Sequence, residues 1–368
     1  MSLNYLQTMK IQNFVLLNLL VMMIPGGQAG TVTSNEDSGV GSLRDVLGAA
    51  GDNEVIDFAP ELNGTTITLS SGSLSITGLT LTVDASALAT GITLSGNHSS
   101  RIFSITENAD VTLKKLHLAD GNETSGNGGG IYAFQCHLIL EACSILNCYS
   151  IYNGGGLYGH RMTGGVRRCT ISGNQSSIGY GGGIFLIGTS PVDITSSQIS
   201  GNSAPSGGGI FALAASPTIS KCTLQGNSGG GLWSDSASAP VLRNCIVWGN
   251  AAVSGSIASQ QLRNSDDSHP DVAHCLIEGA SDAASFGDGN AVVWGNGNLD
   301  GTLAGSAPCF VDAVSATKAP SSVADLRVFT DSPCLNVGDN AFGGASLDLT
   351  GNAELQGLTT NARKLLSR

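Results

Sequence analysis

Three consecutive glycines, then an aliphatic residue, then an aromatic one: this line occurs five times in the chain and restricts its fold more than any other feature. The aliphatic–aromatic pairs are Ile131-Tyr132, Leu157-Tyr158, Ile184-Phe185, Ile210-Phe211 and Leu232-Trp233. The aliphatic residues are separated by 26 (131 to 157), 27 (157 to 184), 26 (184 to 210) and 22 (210 to 232) positions. A second echo, alternating apolar and polar and ending in Gly-Asn, closes at Asn174, Asn202, Asn227 and Asn250. A period in the twenties marks a solenoid, whose units bury their apolar faces only by stacking on neighbours. The segments are short, alternating and rich in Ile, Val, Leu and Thr, so each unit is built from strands. The expected fold is all-β: a single-stranded right-handed parallel β-helix.

The remaining elements fit around that repeat. Residues 42–50 carry apolar side chains at helical spacing, with Ser42 as N-cap and Gly51 as a stop, and predict a short helix. Such a helix would cover the open N-terminal end, where strand edges and core are otherwise exposed. Strands are expected at 55–58, 65–69, 74–76, 79–83, 92–94, 102–105 and 111–118. Regular repeats then run over 122–279, interrupted by an inserted loop at 251–274. Residues 30–121 form the cap and first coils, and 280–368 a loop-rich, irregular C-terminal end.

Column positions follow from the period. Asn122, Asn174, Asn202, Asn227 and Asn250 are expected to stack at one corner as an amide ladder, broken once at Cys148. Cys143, Cys169, Cys222, Cys245 and Cys275, with Ser197 among them, form an inward column of small apolar side chains, read as thiols rather than bridges. By the two-residue alternation of a strand, the aliphatic residue of each glycine line points inward and the aromatic outward.

Composition limits the partners. Only 12% of residues are charged and the formal net charge is −12, so no basic stripe is expected to neutralise the phosphates of a nucleic acid. Lys10, the apolar run 14–24 and the small residues before position 30 look like an export signal over 1–29. That run is too short to span a bilayer, which needs about 20 residues. The expectation is an exported monomer without a membrane span once the signal is removed.

Several motifs resemble one family. Asp37-Ser38-Gly39-Val40-Gly41-Ser42-Leu43-Arg44, Val55-Ile56-Asp57-Phe58 and Leu62-Asn63-Gly64-Thr65-Thr66-Ile67 are similar to the opening of bacterial exported β-helix proteins called choice-of-anchor Q domain proteins. Cys309-Phe310-Val311-Asp312, Ser332-Pro333-Cys334-Leu335-Asn336 and Asp348-Leu349-Thr350-Gly351-Asn352 agree at the far end. The glycine lines are also similar to polymorphic outer-membrane proteins, without their FxxN partner motif. The resemblance implies a pectin-lyase-like fold and a cell-surface, outer-membrane-associated address, and implies no reaction. Members of that family carry an anchoring tail after the β-helix; here the sequence ends Lys364-Leu365-Leu366-Ser367-Arg368.

Three groups of residues are candidate sites. Tyr132, Tyr158, Phe185, Phe211 and Trp233 form a column, expected to be exposed, that could stack sugar rings; the simpler reading is that aromatics stabilise neighbouring strands. Asp266, Asp267, His269 and Asp271 on the inserted loop are the nearest approach to a polysaccharide lyase or hydrolase carboxylate cluster. A solvated loop accounts for them more simply, since only Ser265-Asp266-Asp267 and Gly159-His160-Arg161 resemble polygalacturonase motifs. Asn296, Asn298 and Asp300 match the head of an oxygen-ligand calcium loop but lack its closing acid, and a plain turn is favoured. No other cofactor is expected. The leading expectation is a non-enzymatic surface or adhesion-type module binding an extracellular polysaccharide or surface protein. A lyase or glycoside hydrolase is the alternative.

Overall fold

The computed structural model describes residues 30–188, 191–286, 291–323, 325–328 and 332. The signal-like segment, Cys334 and the last two family motifs beyond Ser332 therefore lie outside the described residues. Within them the chain winds as one parallel β-solenoid with three long sheets along its axis.

Each regular coil crosses the sheets in the same order. Sheet A holds the glycine-line strands, such as Ile131–Phe134, Leu157–His160, Ile184–Ile187 and Ile210–Leu213. Sheet B follows with His137–Glu141, Thr163–Arg167 and Val192–Thr195, and sheet C with Ser144–Leu146, Thr170–Ser172 and Gln198–Ser200. Among the described residues sheet A has eight strands, sheet B eleven and sheet C ten. Ile131, Leu157, Ile184, Ile210 and Leu232 are partners in successive strand pairs and all are buried. The inward aliphatic column is as the period predicts.

The N-terminal cap also matches. Helix α1 spans Leu43–Ala49 with Ser42 accepting from the Asp45 amide, and Leu43 and Leu47 are buried. The Asp-Ser-Gly opening now has a physical role. Asp37 accepts from Arg44 Nη2 (2.7 Å), Ser70 N (3.0 Å), Ser70 Oγ (3.0 Å) and Ser71 N (2.7 Å), while Arg44 reaches the Gly72 and Ser73 carbonyls. This network ties the cap to residues 70–73 of the first coils. Burial opposes ionisation of Asp37, but the donors from Arg44, Ser71 and Ser70 outweigh it and hold the carboxyl well below its usual range.

The glycine lines are explained by crowding as much as by turning. Gly154 adopts φ 68°, which opens the line. Gly155 has no such angle, but a Cβ there would lie 2.5 Å from the Gln175 carbonyl and 2.5 Å from Gly182 O of the next coil. Only a hydrogen fits between coils at that point.

Four expectations are corrected. The strand expected at 111–118 is two strands, Asp110–Lys114 in sheet B and Leu116–Ala119 in sheet C, turned by Lys115 at φ 53°. The inserted loop at 251–274 is mostly another coil. Helix α2, Ile257–Gln261, leads into Leu262–Asn264, which pairs with Leu232–Ser234 in sheet A, and Asp271–Ala273 pairs with Val241–Arg243 in sheet B. The amide ladder runs Asn174, Asn202, Asn227, Asn250 and continues through Gln261, whose Oε1 accepts from Asn250 Nδ2 at 2.7 Å. Asn122 is not in it: Asn122 pairs with Tyr149, so Gly121 stands in register with Cys148 and Asn174. The aromatic column, the fourth, is treated below.

The cysteine column is as expected. Cys143, Cys169, Cys222, Cys245 and Cys275 are buried free thiols, and Asn298 extends the column by accepting from Cys275 N at 2.9 Å. Burial pushes the Cys169, Cys222 and Cys275 thiols up, and Cys136 and Cys148 up to about 12.

Candidate functional site

The outward side of sheet A gathers the first candidate group. Tyr132, Tyr158, Phe185, Phe211 and Trp233 are register partners on consecutive strands. Their rings stack along the axis: Tyr132 on Tyr158 at 5.3 Å between centroids, Tyr158 on Phe185 at 5.4 Å, Phe185 on Phe211 at 5.7 Å and Phe211 on Trp233 at 5.8 Å. The first two pairs are within 5° of parallel.

This corrects the expectation of an exposed column. Tyr158, Phe185 and Phe211 retain only 8%, 2% and 3% of their accessible surface, while Tyr132 and Trp233 are half-buried. Each ring covers its neighbour's face, so the middle rings present edges rather than faces. The end faces are taken too: the Arg101 guanidinium lies 5.0 Å from the Tyr132 centroid and Arg263 lies 4.4 Å from that of Trp233. Arg101 is fixed by Glu123 at 2.8 Å and by the Gly128 carbonyl at 2.8 Å.

Sequence reasoning missed a second outward file, two residues beyond the first. Phe134, His160, Ile187 and Leu213 are paired strand to strand and half-buried, and they pack beside the aromatic rings. The signal was present, because residues i and i+2 of a strand share a face. His160 meets Phe134 edge-on at 4.8 Å; partial burial, then the charge of Arg161, holds its pKa below the ordinary histidine value. On the other side of the column Tyr180, exposed, stacks on Phe211 at 4.7 Å, with exposed Ile178 two residues before it and exposed Tyr152 on the preceding coil. The result is a continuous apolar stripe over five coils with phenol, imidazole and guanidinium groups along its borders.

The other two groups do not assemble into sites. Asp266 and Asp267 are exposed in a left-handed turn (φ 47° and 57°) that joins sheet A to sheet B. His269 is exposed, and Asp271 is drawn to Arg243 of the preceding coil at 2.7 Å. Asn298 Oδ1 is occupied by the Cys275 amide, and Asp300 Oδ1 by Gly279 N (3.0 Å), Thr302 N (2.9 Å) and Thr302 Oγ1 (2.7 Å). Asn296 is exposed, and its carbonyl serves the His274 amide. Asn298 Oδ1 and Asp300 Oδ1 are thus already engaged by protein donors. Among the described residues no three His, Cys, Asp or Glu side chains gather closely enough to hold a metal. No described helix is long and apolar enough to cross a membrane.

Comparison with known proteins adds the following. A family profile described as "Right handed beta helix region" matches residues 100–277, which supplies the handedness of the coil. No curated protein matches the sequence. Among solved structures the chain is similar to one titled "Crystal structure of pectate lyase Pel9A", at 15% identity and a TM-score of 0.49, over 85% of this chain and 93% of that one. None of that enzyme's chemistry is carried over by a likeness of this size.

Proposed function

We propose that this β-helix protein is an exported, non-enzymatic surface or adhesion-type module that takes an extended glycan along the outward side of sheet A. The observation that carries the reading is the pair of outward files, aromatic and aliphatic, running unbroken along consecutive coils. A sugar chain offers apolar ring faces edged by hydroxyls, and it is matched by an apolar strip bordered with polar tips. Tyr132, Tyr158, Tyr180 and His160 supply such tips. Because the aromatic faces cover one another, contact falls to ring edges, to Phe134, Ile187 and Leu213, and to Tyr180, rather than to rings stacked face-on against sugars. The apolar run at 14–24 and the resemblance to choice-of-anchor Q proteins support the exported, surface-attached part of the reading.

The test is a glycan array with the wild type and with Phe134→Ser, Ile187→Ser and Leu213→Ser. These half-buried positions pack along the border of the column, so the fold of each variant is checked by circular dichroism alongside the array. Each change is expected to weaken retention about five- to tenfold, the loss of roughly 1–1.4 kcal/mol of apolar contact. Retention unchanged in all three variants would refute this use of sheet A.

A further inference from the structure

Six successive coils leave sheet C through one left-handed corner residue each: Asp120 (φ 54°), Asn147 (55°), Gly173 (68°), Gly201 (60°), Gly226 (65°) and Gly249 (65°). Backbone bonds such as Asn147 N to Ser172 O, Gly173 N to Ser200 O and Gly201 N to Gln225 O join them into one axial column. The left-handed angle does not by itself require the glycines, because Asp and Asn meet it at the first two corners. What differs is the space outside. A Cβ on Gly201 would run into the Ser321 carbonyl and one on Gly226 into the Val314 carbonyl. One on Gly173 would lie 2.5 Å from Asn147 Oδ1 and 3.1 Å from Ser322 N. Asn147, by contrast, is exposed. Glycine stands where another stretch of chain crosses the corner.

That stretch, residues 314–322, lies along the column as a strap. The Gln225 amide holds both main-chain groups of Val314: Oε1 accepts from Val314 N at 3.1 Å, and Nε2 donates to Val314 O. Ser321 N donates to Gly201 O at 2.7 Å, and Ser172 Oγ donates to Ser321 O at 3.1 Å. Ser172, Ser200 and Gln225 are outward residues of sheet C, yet they are 0%, 0% and 1% exposed. Their register partners on the flanking coils, Leu146 and Trp248, are only half-buried. All four bonds go to the main chain of the strap, and Val314 and Ala316 are the strap side chains buried with it. The strap is carried by Phe310–Asp312 and Asp325–Val328, which pair with each other in a sheet separate from the three long ones.

We propose that this glycine-floored groove is an exchange site between two copies of this chain, each taking the other's strap in place of its own. The proposal is independent of the glycan reading. A groove that bonds main-chain N–H and C=O groups cannot tell its own strap from an identical one. The second copy is therefore the partner whose fit the contacts within one chain already display. Exchange of identical elements makes the same bonds twice and closes as a symmetric pair. Closure within one chain is favoured by proximity, since a short tether sets an effective concentration on the order of millimolar. The wild type is thus closed when dilute and exchanges straps where copies are crowded.

The test is complementation between two full-length variants. Gly201→Asn keeps a residue that accepts the left-handed corner, as Asn147 does, but fills the groove and leaves its strap without a seat. The double variant Val314→Pro, Ser321→Pro removes the two strap N–H donors and leaves its groove empty. Each alone is expected to run as a monomer in size-exclusion chromatography with light scattering. Mixed at about 0.1 mM each, they are expected to form a one-to-one heterodimer, because neither can close on itself. A mixture that stays monomeric, or a variant that dimerises as fully alone as in the mixture, would overturn the proposal. A second measurement needs only the proline variant: a fluorescent peptide of residues 312–323, followed by anisotropy. Binding to the proline variant about tenfold or more tighter than to the wild type is expected, since the wild-type groove is already filled. Equal binding to both proteins, or no binding to either, would overturn the exchange. So would equally tight binding of the same peptide carrying Val314→Pro and Ser321→Pro, which would assign the groove to another occupant.

Discussion

Replacing Asn202 with alanine removes one rung of a buried amide ladder, and its cost follows from the bonds that rung makes. Asn202 is fully buried; its Oδ1 accepts from Asn174 N (2.9 Å) and Asn174 Nδ2 (2.9 Å). Its Nδ2 donates to Ile171 O (2.9 Å) and Asn227 Oδ1 (3.0 Å). Asn174 Nδ2 keeps Ile145 O and Asn227 Oδ1 keeps the Asn202 amide, so those two groups retain a partner. The Asn174 N–H loses the acceptor it has and is left in a dry interior. A buried unpaired donor costs roughly 1–3 kcal/mol and each of the three further lost bonds about 1 kcal/mol, which gives about 4–6 kcal/mol in all. Asn122→Ala is the control. It lies one register position away, with Nδ2 on His98 O at the exposed surface, and should cost about 0.5–1.5 kcal/mol. Urea titration followed by far-UV circular dichroism measures both. Because long repeat arrays can unfold in stages, amide exchange over residues 171–202 should be read alongside. A cost below about 1 kcal/mol for Asn202→Ala, or equal costs for the two variants, would refute the ladder as drawn.

Other outcomes follow from the same structure. Alkylation under native conditions should modify Cys309, which is exposed, and should reach Cys169, Cys222 and Cys245 only after denaturation, as read by mass spectrometry. The depressed Asp37 carboxyl contributes stability that is fully present above its unfolded pKa of about 3.9 and is lost as pH falls below that towards its folded value. Amide protection in residues 43–73 should therefore drop first on acidification below about pH 4, and Asp37→Asn should remove that acid step while lowering protection at neutral pH. Gly155→Ala forces a methyl against two backbone carbonyls and should destabilise the fold by about 3 kcal/mol or more in the same urea assay, whereas Gly48→Ala, with open space around it, should be close to neutral.

What was legible in the sequence is what repetition dictates. Stacked strands have one spacing, so a recurring line at steps of 22 to 27 residues carries the inward column from Ile131 to Leu232, and one at steps of 23 to 30 carries the cysteine column from Cys143 through Ser197 to Cys275. The corners were harder. A turn made by one non-glycine residue, as at Lys115, shows in the sequence only as a single shift in the apolar alternation, from 111 and 113 to 116 and 118, and the stretch reads as one strand. The coil after Asn250 was hidden because α2 replaces the glycine line, and because Gln261, a longer amide, takes the next rung from a different backbone position. The aromatic column was placed on the correct side of sheet A but not at the correct depth. Alternation tells which way a side chain leaves the strand; its burial depends on Phe134, Ile187, Leu213 and Tyr180 packing around it. Lys114-Lys115 and Arg167-Arg168 read as two isolated pairs until the coils placed them at one corner, with Lys114 on Asp84 and Arg168 on Glu141.

The central claim is that this solenoid holds glycans without cutting them. One experiment addresses it: the mature chain is incubated with immobilised neutral and uronic-acid polysaccharides, and retained protein is measured together with released reducing ends and unsaturated products. The account predicts retention that falls in Leu213→Ser, with no product above background after prolonged incubation. Product formation by the wild type that disappears in Asp266→Ala or Asp267→Ala would contradict it and assign the exposed turn to catalysis.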